Sequence, residues 1–220
     1  MVVSHLDQDH CGLIPYLDRR FHIGQVVCPT TGALTEFGAR VRRFLRAAGL
    51  PFRTLAEGGE LRGGELDCRV LHPDARFLSD ATLPENEKSM VVRGEFGSFS
   101  FLLTGDVQSR AMRRLCRDYG DRLAADLLVL PHHGRYHEGL EGFIDNVRPA
   151  VVVVSGEADD CPPETAALLG ARGIPLWITG REGAIIVDVG RDGVRLRGHV
   201  SGRMMEFEPR RAGGERGLDG

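Results

Sequence analysis

Apolar and polar positions along the chain follow two distinct periods. In residues 66–71, Leu66, Cys68 and Val70 alternate with Asp67 and Arg69, the period of two that predicts a half-buried strand. In residues 35–48, Phe37, Val41, Phe44, Leu45 and Ala48 recur at helical spacing. Arg40, Arg42, Arg43 and Arg46 occupy the rest of that helix, as a solvated face would, and Gly49 ends it. A second amphipathic helix over 107–119 is expected to bury Met112, Leu115, Cys116 and Tyr119 before Gly120 stops it. Residues 126–130 and 150–155 are apolar at successive positions, the pattern of strands covered on both faces.

Shorter signals fill the intervals. Residues 1–4 read as the stump of a buried strand, and residues 13–17 as the start of a short helix with Pro15 in its first turn. A strand is expected over 24–28, and residues 52–71 are strand-rich, broken by glycine pairs. Residues 76–87 read as a polar loop. Strands at 90–93 and 98–103 form a hairpin around 94–97. Helices over 140–147 and 164–171 and strands over 176–179 and 184–189 complete the pattern, which is that of an α/β protein. Residues 1–197 read as one domain, and residues 198–220, rich in Gly, Arg and Glu, as a disordered tail.

Composition narrows the classes. With 220 residues, 42% hydrophobic and 27% charged, the chain is of ordinary globular make-up, and a net charge of −3 supplies no overall basic field for nucleic acid. No apolar run approaches the ~20 residues of a membrane span, and no leader pattern is evident, so a cytoplasmic location is the default expectation. The five cysteines show no C-x-x-C spacing and are expected as reduced, mostly buried thiols.

The candidate chemistry begins at the fifth residue. His5, Asp7, Asp9 and His10 place four potential ligands in six positions, at a strand end where Gly12 permits a turn. Imidazoles and carboxylates this dense are stable together when a cation neutralises them, and borderline metals take such mixed nitrogen and oxygen ligands. Asp106 stands at another strand end, after Thr104-Gly105, where it also suits the N-cap of the following helix. His132 and His133 follow the apolar strand 126–130. Neighbouring histidines diverge, so one is expected at the metal and the other at the substrate or against a ligand. Sequence leaves open which. We assign His132 to the metal and His133, with Asp9, to catalysis. His72, before Pro73, is a further candidate, with a surface histidine as the alternative.

Ser4-His5-x-Asp7-x-Asp9-His10-x-Gly12 resembles the second motif of the metallo-β-lactamase superfamily, and the Asp in its second place is similar to the soluble domain of ComEC-type competence DNA-uptake proteins. Residues 101–106 (Phe-Leu-Leu-Thr-Gly-Asp), 130–134 (Leu-Pro-His-His-Gly), the strand 151–155 and, more weakly, Asn86-x-x-Ser89 match in the same order. The resemblance implies a four-layer αββα sandwich that lacks the first strands of one sheet. It implies two divalent metal ions, zinc or manganese, with His5 and Asp7 on the first, Asp9 and His10 on the second, Asp106 between them, and His132 or His133 completing the set. The implied activity is metal-dependent hydrolysis of phosphodiesters, with DNA as substrate and a membrane channel domain or a missing N-terminal segment as further partners. The chain would then be membrane-associated.

Two departures qualify the resemblance. The family places several strands before this motif, where this chain has four residues, so exposed edges and an uncovered apolar face are expected. After residue 155 the family commonly has Gly-His-Pro, and this chain has Asp159-Asp160-Cys161-Pro162-Pro163, in which Asp160 or Cys161 would have to stand in for the histidine. The alternatives carried forward are a non-catalytic DNA-binding or assembly module of the same fold, and a metallo-hydrolase of another ester or amide substrate.

Overall fold

The computed structural model describes residues 1–29, 36–191 and 193–210. The chain opens with a single bridge, Val2 in parallel with Val27. Two short helices follow, α1 (Gln8–Cys11) and α2 (Ile14–Asp18), the second with its proline in the first turn. Strands β1 (Val26–Cys28) and β2 (Phe52–Thr54) pair in parallel across helix α3 (Glu36–Ala47). The helix start expected at Thr35 lies outside the described residues. Val41 and Leu45 of α3 pack, with Phe37 and Phe44, against Leu6, Ile14, Val26 and Cys28, the stripe their spacing predicted.

Strands β3 (Glu60–Gly63), β4 (Leu66–His72), β5 (Val91–Phe96) and β6 (Phe99–Leu103) then form an antiparallel meander. The hairpin is tighter than expected: Gly94 lies within β5, and Gly97, at φ 60°, makes the turn. The expected polar loop between β4 and β5 is folded. It holds helix α4 (Ala75–Ser79), capped by the Asp74 carboxylate accepting from Phe77 N–H at 2.8 Å, and one turn of 3-10 helix at Glu85–Lys88. From β6 onward the strands run parallel through helical crossovers: α5 (Ser109–Tyr119), β7 (Leu127–Val129), α6 (Leu140–Val147), β8 (Val151–Val154), α7 (Pro163–Ala171) and β9 (Leu176–Ile178). The seven strands β3 to β9 make one sheet in chain order.

One turn, α8 (Thr179–Glu182), leads to a separate antiparallel sheet of β10 (Ile185–Gly190), β11 (Gly193–Gly198) and β12 (Met204–Phe207). Strand β12 corrects the expectation of a disordered tail from residue 198. Its pairing runs from Val194↔Phe207 to Arg197↔Met204, and Phe207 packs on the core beneath. Residues 211–220 lie outside the described residues.

The layers follow from which faces are buried. One face of the seven-stranded sheet, through Leu102, Leu128, Val152 and Val154, packs on Met112, Leu115, Phe143 and Leu169 of the helices. The other face meets two smaller sheets. Val151, Val153 and Trp177 pack on Val194 and Leu196 of β11, and Val70 and Val92 pack on Val27 beside β2. Helix α3 covers the far side of β1, which completes an αββα order. The apolar strands β7 and β8 are therefore covered on both faces, contrary to the expected uncovered face, because β10–β12 supply the second cover. Leu103, opposite Val92 in the ladder, remains 42% exposed.

Candidate metal centre

The cluster forms where parallel strands end. β6 runs on to Asp106, β7 to His133 and β8 to Ser155, so three neighbouring strands deliver side chains or backbone at their carboxyl ends, where α/β sheets commonly bind ligands. The N-terminal segment approaches from the second layer. Ser4 C=O accepts from Met90 N–H at 2.8 Å and Val3 N–H donates to Val27 at 2.8 Å, which fixes His5 over the start of β5. Gly105, at φ 53°, lets the backbone pass between Ser4 and Ser89, where a Cβ would lie 2.8 and 2.9 Å from theirs.

Asp106 faces three histidines. Its Oδ1 lies 3.1 Å from His10 Nε2, and its Oδ2 lies 3.9 Å from His5 Nε2 and 3.7 Å from His133 Nε2. Asp9 Oδ2 lies 3.1 Å from His133 Nε2 and 3.6 Å from His10 Nε2, and Asp7 Oδ2 lies 3.5 Å from His5 Nε2. One ligand atom each of Asp9, His10, Asp106 and His133 lie within 4.8 Å of one another. Asp106 is 4% exposed and Asp9 opens to solvent. Asp106 is not the helix cap expected of it. Gln108 holds that position, and the Glu87 carboxylate accepts from Arg110 and Ala111 N–H at 2.9 and 2.8 Å, so the Asp106 carboxylate is left for the cluster.

Of the paired histidines, His133 belongs to the cluster and His132 does not, which reverses our sequence assignment. Both residues sit in the left-handed region, at φ 50° and 55°, so the chain turns sharply and the rings part. His133 Nδ1–H donates to Ser155 C=O at 2.7 Å, which leaves Nε2 facing Asp9 and Asp106. His132 N–H is held by Gly105 C=O, and its ring meets His137 (Nδ1 to Nε2, 2.9 Å), Gln108 and Asn86. His137 and Gln108 escaped sequence reading because neither stands in a recognisable spacing.

His72 also lies away from the cluster, and it is fully buried rather than on the surface. Its Nε2–H donates to Glu87 C=O at 2.7 Å, and its Nδ1 accepts from Arg114 at 3.2 Å, so both nitrogens are committed. The candidates to replace the absent histidine also turn elsewhere. Asp160 accepts from Glu157 N–H in its own loop, and Cys161 packs against the helical core. A surface cavity of about 430 Å³ along β10–β12 shares no residue with the cluster.

The electrostatics are those of a site built for positive charge. Burial, with His10 beside it, lowers the His5 pKa, against the pull of Asp106, Asp7 and Asp9. Burial opposes protonation of His10 too, but Asp106 raises its pKa on balance. Burial would raise the Asp106 pKa, and His10, His5 and His133 bring it down. Most telling, the Nε2 atom of His5 is buried with no hydrogen-bond partner among the described residues, 3.5 and 3.9 Å from the Asp7 and Asp106 carboxylates, while that of His10, equally buried, faces Asp106 Oδ1 at 3.1 Å. A buried polar atom without a partner costs about 1–3 kcal/mol, and a divalent cation removes that cost while neutralising the acids. The residues present therefore fit such an ion.

No family model matches the chain. Among curated proteins it is 26% identical over 155 residues to ComE operon protein 3 of Bacillus subtilis, covering 70% of this chain and 19% of that one. It is 33% identical over 136 residues to competence protein ComA of Neisseria gonorrhoeae, covering 60% of this chain and 19% of that one. Recombination protein 2 of Haemophilus influenzae is 25% identical over 155 residues, 70% of this chain and 17% of that one. The chain thus spans under a fifth of the length of these relatives. Among solved structures, a mutant of CmlA beta-hydroxylase aligns with a TM-score of 0.54 at 14% identity, over 80% of this chain and 42% of that one. A putative metal-dependent hydrolase from Parabacteroides distasonis aligns at 0.51 and 15%, over 81% and 74%.

The layer order and the position of the cluster define a metallo-β-lactamase-type αββα sandwich. Within that class, the sequence resemblance is to competence proteins of the ComEC family.

Proposed function

We propose that the chain is a metal-dependent phosphodiesterase acting on DNA, in the manner of a nuclease of competence-type DNA uptake. The observation that carries this reading is the pair of buried Nε2 atoms turned onto Asp106, that of His5 without a hydrogen-bond partner among the described residues and that of His10 at 3.1 Å from Oδ1, with Asp9 and His133 closing the group. His5 and Asp7 would hold one cation, and Asp9, His10 and His133 a second, with Asp106 offering an oxygen to each side. Divalent cations there supply Lewis-acid polarisation of a phosphoryl group and a nucleophile from water at neutral pH. The carboxylates favour manganese beside zinc. The protein residues position. Ser155 C=O orients His133, and Asp9, exposed at the mouth, would take the proton of the attacking water. His132 and His137, with rings stacked at 5.1 Å, form a polar edge beside the cluster for the substrate.

A nucleic-acid substrate has its own support in the surface that follows α2. After α2 the run Arg19-Arg20-Phe21-His22 is exposed, and the Arg20 guanidinium lies 5.1 Å from the centre of the exposed Tyr16 ring. Cations beside exposed aromatic side chains are how strands are held by backbone and base together. The relatives named as competence proteins point the same way, and a membrane channel partner is part of the proposal.

The test is cleavage of DNA and of a generic phosphodiester by the purified chain with Mn²⁺ or Zn²⁺. Activity should vanish with EDTA and in Asp106→Asn, and return with cation only in the parent. Cleavage that persists in EDTA sinks the reading. One observation favours a second reading, a DNA-binding module without turnover: Asp160, where the Gly-His-Pro histidine would stand, bonds within its own loop, and Cys161 packs on the helical core. Cation uptake and DNA binding without cleavage would decide for it.

A further inference from the structure

We propose that the hydroxyls of Ser4 and Ser89 set the ring tautomers of His5 and His10, and that each can change from donor to acceptor when a cation enters. The inference rests on the cation reading above. The four groups form one hydrogen-bonded chain. Ser4 Oγ lies 3.0 Å from His10 Nδ1 and 3.2 Å from His5 Nδ1. Ser89 Oγ lies 3.2 Å from His5 Nδ1 and accepts from Asp106 N–H at 3.1 Å. Ser89 is fully buried, and Gly105 is wedged between the two serines, so neither hydroxyl can drift far.

A neutral imidazole carries one N–H. An Nε2 that binds a cation must be bare, so the proton moves to Nδ1 and needs an acceptor there. Without a cation, Nε2 of His10 faces Asp106 at 3.1 Å, and a proton on Nε2 relieves that contact. Nδ1 then needs a donor. A serine hydroxyl has one hydrogen and two lone pairs, so the same side chain serves both states. A carboxylate in its place would accept only and add a negative charge. Ser4 has two lone pairs for two Nδ1–H groups. Ser89 already spends one on Asp106 N–H, and the other faces His5. It thereby ties a ring and the backbone of the shared carboxylate to one oxygen, which makes both serines positioning residues.

The experiment follows ring protons and affinity. Long-range ¹H–¹⁵N correlation spectra of the histidines are recorded in EDTA and with Zn²⁺, beside Zn²⁺ affinity by chelator competition. In the parent, the His5 and His10 signals should change to the Nδ1–H form on adding Zn²⁺. Ser89→Ala should weaken affinity about 10- to 100-fold and disturb His5, and Ser89→Thr, which keeps the hydroxyl, should restore most of the loss. Melts in EDTA establish folding. If Ser89→Ala does not fold, Ser4→Ala carries the same test at His10. Parent-like affinity and ring signals in the alanine variants would overturn the proposal. A parent that takes up no Zn²⁺ sinks the cation site itself and this proposal with it.

Discussion

A histidine whose two ring nitrogens are both committed has nothing to offer a metal, and His72 is that residue. Its partner Arg114 is in turn held by Glu57, Asp74 and Asp118, so the ring sits in a buried, charged network. Burial above all, with Arg114 beside it, takes the His72 pKa down to about 4, although its bond to Glu87 C=O opposes the fall. The unfolded chain titrates near 6.5, so between about 4 and 6.5 the unfolded state binds more protons. Stability from this group is therefore complete above about pH 6.5 and lost as pH falls toward 4, a span worth about 3 kcal/mol. In EDTA, denaturant unfolding of the parent should lose about 2 kcal/mol more between pH 7 and pH 5 than His72→Gln loses. Equal losses in the two would mean that His72 is not the group that senses acid.

At the scale of the element, α5 depends on a residue far from it in sequence. The Glu87 carboxylate closes its first turn by accepting two N–H groups in a buried place. Glu87→Ala should cost about 1–3 kcal/mol for groups left unpartnered, and Glu87→Gln less, since its amide oxygen still accepts one bond. Cation affinity should fall in Glu87→Ala as well, because the start of α5 places Asp106. A Glu87→Ala variant with parent-like melting would show that α5 needs no such cap. The same feature marks what sequence could reveal. Helix α6 falls at the residues its periodicity predicted, and β7 and β8 lie within a residue or two of theirs, because local apolar patterning decides them. The turn that carries Glu87 has no apolar period and exists through partners more than twenty residues away. Strand β12 likewise exists through its pairing with β11. In the cluster, His5, Asp9, His10 and Asp106 were legible from motif and spacing. The choice between His132 and His133 was not, since it turns on two backbone angles that the sequence does not display.

At the scale of the molecule, the cluster joins two layers. His5, Asp7, Asp9 and His10 belong to the N-terminal segment, which packs with β1 and α3, and Asp106 and His133 belong to the ends of the seven-stranded sheet. The apolar contact between these layers on that side rests, among the described residues, on Val27 and Leu55 against Val70, Met90 and Val92, with the partly buried Leu61 and Cys68 beside them. A cation held from both layers would therefore act as a clasp, binding the folded form and having no comparable site in the unfolded chain. Linkage then sets the size of the effect. At a free cation concentration one hundred times the dissociation constant, stability rises by about 2.7 kcal/mol. For a chain of this size each kcal/mol moves the melting temperature by about 2–4 °C, so Mn²⁺ or Zn²⁺ should raise it by about 5–11 °C. Asp106→Asn keeps the shape but removes the anion that faces both sides, and it should melt at one temperature with or without cation. The two layers should also respond differently in hydrogen exchange. Amides of β1 and the bridge at Val2 should slow on adding cation, while those of β8, already covered on both faces, should not change. Equal cation-induced rises in the parent and Asp106→Asn would mean that the ion binds elsewhere and that the layers are not joined through this cluster.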